Sequence, residues 1–480
     1  MTRIDADVIV VGAGLSGLTT AFRLARRGWQ VAVVEAAERP GGVIGSRRRE
    51  GVLYELGPNS GLDTTPLIDE LLGAAGIKSE RLDASAAAAK RYILRGGALV
   101  AMPTSPGAFF GTPLFSWRAK LGLLREPFVA PAPPDAEETV ADFVRRRLGT
   151  EFLDYAIEPF VAGIYAGDPE TLSVPAAFPR LFALEQKYGS LIRGQILGAR
   201  ERRRSAEKAK NMAVSFSFRD GMQTLTDALA RALPIECGVR VAAVRREADA
   251  FALECERGSA GTKECFERRA RAVVLAVPAY AAARIVEPLD AGAARALREI
   301  VYPPVAVVAS AYRRSDVAHP LDGFGFLAPK KEAPPVLGSL FSSTMFAHRA
   351  PEGTVVLTTF VGGRRNPELA QAAEGEIAAS AQRALAQYVG AAVPLWSVVT
   401  CWPQAIPQYT LGHRERIAAV ERTETSAPGL YFCANWRGGV SIGDCIKSGH
   451  AMAERVDREL GALASTRATQ TNPVATAAPA

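Results

Sequence analysis

Three glycines and one acid carry the first chemical signal in the chain. The apolar run Val8-Ile9-Val10-Val11 leads straight into Gly12-x-Gly14-x-x-Gly17. A helical pattern follows over TTAFRLARRG, and a second apolar run ends on Glu35, 18 positions after the last glycine (35 − 17). That order of strand, glycine turn, helix, strand and acid predicts a dinucleotide site. Gly12 makes the tight turn, Gly14 lets a diphosphate reach the backbone, and Gly17 lets the helix pack on the strand. Ala13, Leu15 and Ser16 complete the loop. The helix N-terminus offers unpaired N–H groups and a favourable dipole to the anion. Glu35 is positioned to accept hydrogen bonds from ribose hydroxyls.

A second glycine pair follows at Arg39-Pro40-Gly41-Gly42, and then a hairpin pattern over residues 43–56. After it comes Gly57-Pro58-Asn59-Ser60. A nicotinamide fold does not require Arg39 to Gly42. The combination resembles the flavoprotein family of amine oxidases and porphyrinogen oxidases. In that family the double glycine passes close to FAD, and the Gly-Pro pair lies beside the flavin ring.

The elements that must hold these residues can be read along the chain. Its 480 residues suffice for about two or three domains. Hydrophobic content of 48% with 22% charged residues reads as globular. The net charge of +7 is mildly basic and fits an anionic substrate or anionic lipid. No apolar stretch reaches the roughly 18 residues of a membrane span. The opening MTRIDAD enters the first strand directly, so no signal peptide is expected. The expected location is the cytoplasm, with peripheral attachment to the cytoplasmic membrane. The six cysteines show no C-x-x-C spacing and the four histidines no ligand-like pairing, so free thiols and no metal are expected.

Helical spacing covers residues 64–77, a hairpin 92–102 turns at Gly96-Gly97, and residues 139–210 are helix-rich. The basic run RERRRSAEKAK reads as a solvated helix end. Residues 105–125 crowd Phe109, Phe110, Leu114, Phe115, Leu121, Leu123 and Leu124 beside Trp117, Arg118, Lys120 and Arg125. Aromatics beside cations suit a lipid interface, and a buried amphipathic helix is the alternative. The second half is strand-rich, with long helices near 375–390 and over 446–460, the latter after a glycine-rich turn GGVSIGDC. The chain therefore leaves a dinucleotide domain, builds a second unit and returns. The expected fold is α/β with mixed sheets: a Rossmann-like domain (1–80, 211–280, 425–463), a mixed-sheet substrate domain (81–100, 281–424) and a helical, membrane-associated domain (101–210). Residues 464–480 are expected to be a disordered tail.

Five stretches together resemble the protoporphyrinogen oxidase family: ELGPNS (55–60), AGIYAGDPETLSVPAAFP (162–179), GFGFLAP (323–329), IPQYTLGH (406–413) and GVSIGDCI (439–446). The similarity spans roughly residues 5–460. One departure is Val43 after the double glycine, where some members carry a larger residue.

The resemblance implies non-covalent FAD, since neither Cys401 nor Cys433 lies in a flavin-attachment motif. It assigns Arg91 to a porphyrin propionate. Phe160 and Gly163 become pocket positions, with the macrocycle close to the Gly163 backbone. Phe324, Gly325, Leu327, Leu340 and Phe360 become apolar walls. Val241 would meet adenine through its backbone, Trp402 would lie near flavin or substrate, and Val440, Ser441 and Ile442 would surround the flavin. The implied reaction takes protoporphyrinogen IX to its porphyrin with oxygen as acceptor, and no side chain is assigned as acid or base. Ferrochelatase would receive the product, and no nucleic-acid partner is expected. Coproporphyrinogen III as substrate, an amine oxidase or carotenoid desaturase activity, and a non-catalytic porphyrin carrier remain as alternatives.

Overall fold

Strand alternation and glycine turns build two large sheets that share the site between them. The computed structural model describes residues 4–133, 136–198, 213–258 and 263–470. The basic run at 200–210 lies outside the described residues. The nucleotide sheet has strand order Ile235–Glu236, Val31–Val34, Ala6–Val11, Glu264–Leu275, Phe251–Arg257, Val239–Arg246, with Leu430–Phe432 also paired to Glu264–Leu275. Its central strands run parallel, with Val8 opposite Val31 on one side and opposite Ala272 on the other. Both faces are buried, which explains why Val8 to Val11 are all apolar rather than alternating. Helices Leu15–Arg26 and Ile442–Gln470 cover one face. They meet where Gly449 leaves no room for a side chain: a Cβ there would stand 2.7 Å from Thr19 Cβ.

The wall sheet has order Trp396–Trp402, Val305–Arg313, Thr354–Gly362, Gly338–Leu340, Gly323–Leu327, Lys90–Arg95, Ala98–Ala101. Successive side chains point to opposite faces. Tyr92, Leu94, Val308, Phe326 and Leu357 pack under helix Glu374–Val389. Arg91, Leu327, Leu340 and Phe360 belong to the other face, where Leu327 and Phe360 cluster with the helix Glu158–Tyr165 and its end, and Leu340 with Met345 and Phe346.

Two expectations shift. Helix Ile442–Gln470 continues past residue 464, where a disordered tail was expected to begin. The segment 105–125 is not one lipid-facing surface. Leu114 and Phe115 are core, and Phe109 is half-buried. The Lys120 ammonium turns inward to the carbonyls of Phe110 and Thr112 at 2.8 and 2.7 Å, because the short turn before it leaves those oxygens without helical partners. No described helix is long and apolar enough to cross a membrane.

Candidate active site

The first glycine turn divides its tasks as the spacing predicts. Gly12 adopts φ +102°, and a Cβ there would stand 2.6 Å from the Ala276 carbonyl oxygen. A Cβ on Gly17 would stand 2.1 Å from the Gly12 oxygen, so helix and turn are in backbone contact. Gly14 differs: nothing lies within 4 Å of the place its Cβ would take. It is also the N-cap of the first helix, which has no side-chain cap and no acid in its first turn. The helix start at Leu15 and Ser16 is buried. A buried, uncapped helix N-terminus opening on free space suits an anionic group.

The second glycine pair lies against the first turn. The Gly41 N–H donates to the Ala13 oxygen at 2.8 Å, and a Cβ on Gly42 would sit 3.4 Å from Gly14 Cα. Gly41 and Gly42 both have positive φ, which the turn needs and other residues resist. The Glu35 carboxylate stands at the end of its strand, accepting from Ala13 N–H at 2.6 Å and Ala37 N–H at 2.8 Å. Arg39, expected with the double glycine at the cofactor, is held within the loop. Its guanidinium donates to the carbonyls of Pro40, Gly42 and Ile44, so it shapes the loop rather than reaching outward. Burial holds its pKa below the usual arginine value.

From there the contacts run on to Gly57-Pro58-Asn59-Ser60. A Cβ on Gly57 would meet the Val43 oxygen at 2.3 Å, and the Trp402 indole donates to Leu56 O at 2.8 Å. The next residue, Gly61, abuts the final helix: its Cβ would be 3.3 Å from Ile442 Cγ2. Val440 is half-buried at the turn before that helix. Ser441 is engaged as its cap: its hydroxyl donates to Asp444 at 2.6 Å and accepts the Asp444 N–H at 3.2 Å. Val241 is buried beside a bulge on the edge strand Val239–Arg246, whose first N–H donates to the Glu35 oxygen at 2.9 Å.

The wall opposite is apolar with a single cation. Arg91, Gly325, Leu340 and Thr358 form one cross-sheet row, and Ile93, Leu327, Gly338 and Phe360 form the next. Gly325 makes the close approach possible: at φ +143°, a Cβ would stand 2.2 Å from the Ser339 oxygen. It is therefore a backbone requirement and not a wall surface. Gly163 likewise serves packing, since its Cβ would stand 2.9 Å from Leu327 Cδ2. The collision expected with a macrocycle falls on the Leu327 methyl instead. Phe160, on the same helix Glu158–Tyr165, is 39% exposed. Phe324, Leu327, Leu340 and Phe360 are all half-buried. The Arg91 guanidinium lies 5.3 Å from the Phe324 ring centroid and pairs with no carboxylate among the described residues. Desolvation lowers its pKa from the usual arginine value.

Two clusters have tasks that their local sequence does not announce. Arg349 and Glu55 form a fully buried ion pair at 3.0 Å behind Asn59. Tyr409 bridges the final turn, donating to Asn435 O at 2.6 Å and accepting the Gly439 N–H at 2.9 Å. Gln408 donates to Tyr165 O at 2.8 Å, and the His413 ring stacks on Tyr409 at 4.3 Å. The GIYAGD and IPQYTLGH stretches thus interlock to hold the Gly439 turn.

The comparisons agree with this architecture. The family model for flavin containing amine oxidoreductase matches residues 15–457. The chain belongs to this family. As a flavin-containing amine oxidoreductase its cofactor is FAD, and the open, uncapped cradle at Gly14 fits the FAD diphosphate. The chain is 34% identical to the chloroplastic protoporphyrinogen oxidase of Oryza sativa subsp. japonica, covering 95% of this chain and 88% of that one. It is 28% identical to the coproporphyrinogen III oxidase of Bacillus subtilis (strain 168), covering 92% and 96%. The crystal structure of a candidate protoporphyrinogen oxidase from Exiguobacterium sp. 255-15 superposes with TM-score 0.79 at 23% identity, covering 95% and 99%, and shows the same amine-oxidase-like fold.

Proposed function

We propose that this flavoenzyme oxidises protoporphyrinogen IX to protoporphyrin IX in haem biosynthesis, with oxygen as acceptor and hydrogen peroxide as product. The observation that carries the reading is Arg91, a guanidinium with no carboxylate partner among the described residues, at the edge of a largely apolar wall. A tetrapyrrole macrocycle with propionates at one edge and apolar groups at the other matches that distribution. The guanidinium fork pairs with a carboxylate through two parallel hydrogen bonds. Phe160, Phe324, Leu327, Leu340 and Phe360 then hold the rings, while Gly163 and Gly325 let helix and strands close around them.

Bound FAD supplies the hydride acceptor for the saturated bridge carbons of the substrate. The chain contributes position and orientation. The wall rows carry no carboxylate or imidazole, so the pyrrole proton passes to water. The diphosphate would lie on Gly12 to Gly17 with Gly41 and Gly42 behind it, and the ribose against Glu35. Adenine would meet the Val241 backbone. The flavin would lie between Gly57 to Ser60, Trp402 and the Val440 to Ile442 turn.

The domain limits given above, delivery of the product to ferrochelatase and peripheral membrane attachment at the cytoplasmic face belong to the same reading. The Bacillus relative supports a second one, coproporphyrinogen III as substrate. Its four propionates need more cations than the one in these wall rows. Purified protein should be given each porphyrinogen in air and porphyrin fluorescence followed. We expect the higher kcat/KM with protoporphyrinogen IX. A reversed preference establishes the second reading, and no fluorescence with either overturns both.

A further inference from the structure

Asn59 follows the Gly57-Pro58 pair and is almost fully buried, with every polar atom of its side chain engaged. Its Oδ1 accepts from Arg349 Nη1 at 2.6 Å and from the Ser342 hydroxyl at 3.1 Å. Its Nδ2 donates to Met345 Sδ at 3.7 Å. Its backbone oxygen accepts from Arg349 Nη2 at 2.8 Å. One guanidinium therefore holds this residue by both its side chain and its main chain.

Arg349 is itself held from the other side. Glu55 Oε1 lies 3.0 Å from Nη2, and Ser217 Oγ lies 2.9 Å from it. Glu55 also accepts from Met222 N–H at 3.0 Å and from the Ser46 hydroxyl at 2.6 Å. The Phe346 ring closes over the guanidinium at 4.9 Å. Neither charge reaches solvent. The chain of bonds does not stop at Asn59: Ser342 Oγ lies 2.8 Å from Thr358 Oγ1, and Thr358 is opposite Leu340 in the wall row that contains Arg91.

A buried ion pair is a costly way to stabilise a core, because desolvation offsets most of its attraction. Simple packing does not explain why a charged fork stands where an apolar side chain would serve. The geometry supplies a reason: only a planar fork reaches Asn59 twice while pairing with Glu55.

We propose that Arg349 is a positioning residue for the flavin, holding the Gly57-Pro58-Asn59 turn through Asn59 and fixing that turn against the substrate wall. This rests on the reading that the turn borders the flavin ring. Arg349 touches neither cofactor nor substrate; it acts through Asn59.

The test is a double-mutant cycle on purified holoprotein. Arg349→Lys keeps the charge and loses the fork. Asn59→Ala removes the side-chain half of the clamp and leaves the ion pair. The paired change Glu55→Gln with Arg349→Met removes both charges together, so that no lone buried charge prevents folding. Visible flavin absorption, midpoint potential and FAD dissociation constant are read without substrate, and kcat and KM with protoporphyrinogen IX.

We expect cooperative melting in all variants, a shifted flavin spectrum and potential, and kcat lowered about 10- to 100-fold with KM nearly constant, as for a displaced reacting group. The effects of Arg349→Lys and Asn59→Ala should not add, since both break one clamp. Additive effects, or a folded Arg349 variant with an unshifted flavin and unchanged kcat, overturn the proposal. Should the paired variant not fold, the cycle between Arg349→Lys and Asn59→Ala decides alone. Because the spectra need no substrate, a wild type that holds FAD but ignores porphyrinogens would refute the function and leave the role of Arg349 still measurable.

Discussion

Gly14 and Gly17 stand three residues apart and should fail in opposite ways. A valine at 14 meets open space in the protein, so Gly14→Val should fold and melt cooperatively while remaining colourless, its side chain filling the diphosphate position. A valine at 17 would drive into the Gly12 oxygen, so Gly17→Val should not give soluble folded protein. Absorbance near the flavin bands and thermal melting of both variants check this pair. A yellow Gly14→Val protein would remove the diphosphate from this turn. Arg91 makes the residue-scale prediction for substrate. Its partner would be a propionate at a half-open edge, so Arg91→Ala should cost about 1–2 kcal/mol, seen as a roughly 5- to 30-fold rise in KM with little change in kcat. Arg91→Lys should recover only part of it, because a point charge lacks the fork. Steady-state kinetics with unchanged KM in both variants would return Arg91 to an ordinary surface role.

Single elements show why some of the site was readable and some was not. The first turn, its helix and Glu35 are contiguous in sequence, and their glycines answer to local backbone demands, so spacing alone reveals them. The hairpin Lys90–Arg95 and Ala98–Ala101 was legible from Gly96 and Gly97, both at positive φ. The stretch IPQYTLGH was recognisable as a pattern but its task was not, since Tyr409 acts on Gly439 and Asn435 through the fold. His413, stacked on Tyr409, gives that element a pH dependence. Burial, helped by nearby Arg416, lowers its pKa from 6.5 to about 4. The folded protein then keeps it neutral while the unfolded chain protonates it near 6.5. The unfolded state binds more protons between these values, so this contribution is complete above pH 6.5 and is lost as pH falls toward 4. His413→Phe keeps a ring on Tyr409 and removes the titration. Its loss of Tm between pH 7.5 and pH 5 should be smaller than that of the parent, and an equal loss would assign the dependence to other groups.

At the scale of the whole molecule, the least legible features join distant segments. Glu55 and Arg349 are separated by 294 positions, and nothing near either one announces the other. The apolar segment at 105–125 was visible, but which side chains face outward depends on what packs beneath them. Buried Glu126 accepts the N–H groups of Leu191 and Ile192, fixing helix Leu191–Leu197 beside Leu123–Phe128. Together with the short helices Pro106–Gly111 and Trp117–Gly122, these elements leave Phe110, Trp117, Leu121, Leu124, Phe128, Ile196 and Leu197 each more than half exposed, with Arg118 and Arg125 also exposed. Such a concentration of exposed apolar groups is costly in water and suits an interface. Each side chain entering hydrocarbon contributes about 1.5–3 kcal/mol, so a few of them suffice for reversible attachment to anionic lipid. The protein should therefore float with anionic liposomes. Replacing Phe110, Trp117, Leu124 and Phe128 together by serine should abolish flotation and leave the flavin spectrum intact, whereas serine at buried Phe115 should destabilise the fold. If a second copy of the chain covers this surface instead, the parent will sediment as a dimer, ignore the liposomes and become monomeric in the serine variant.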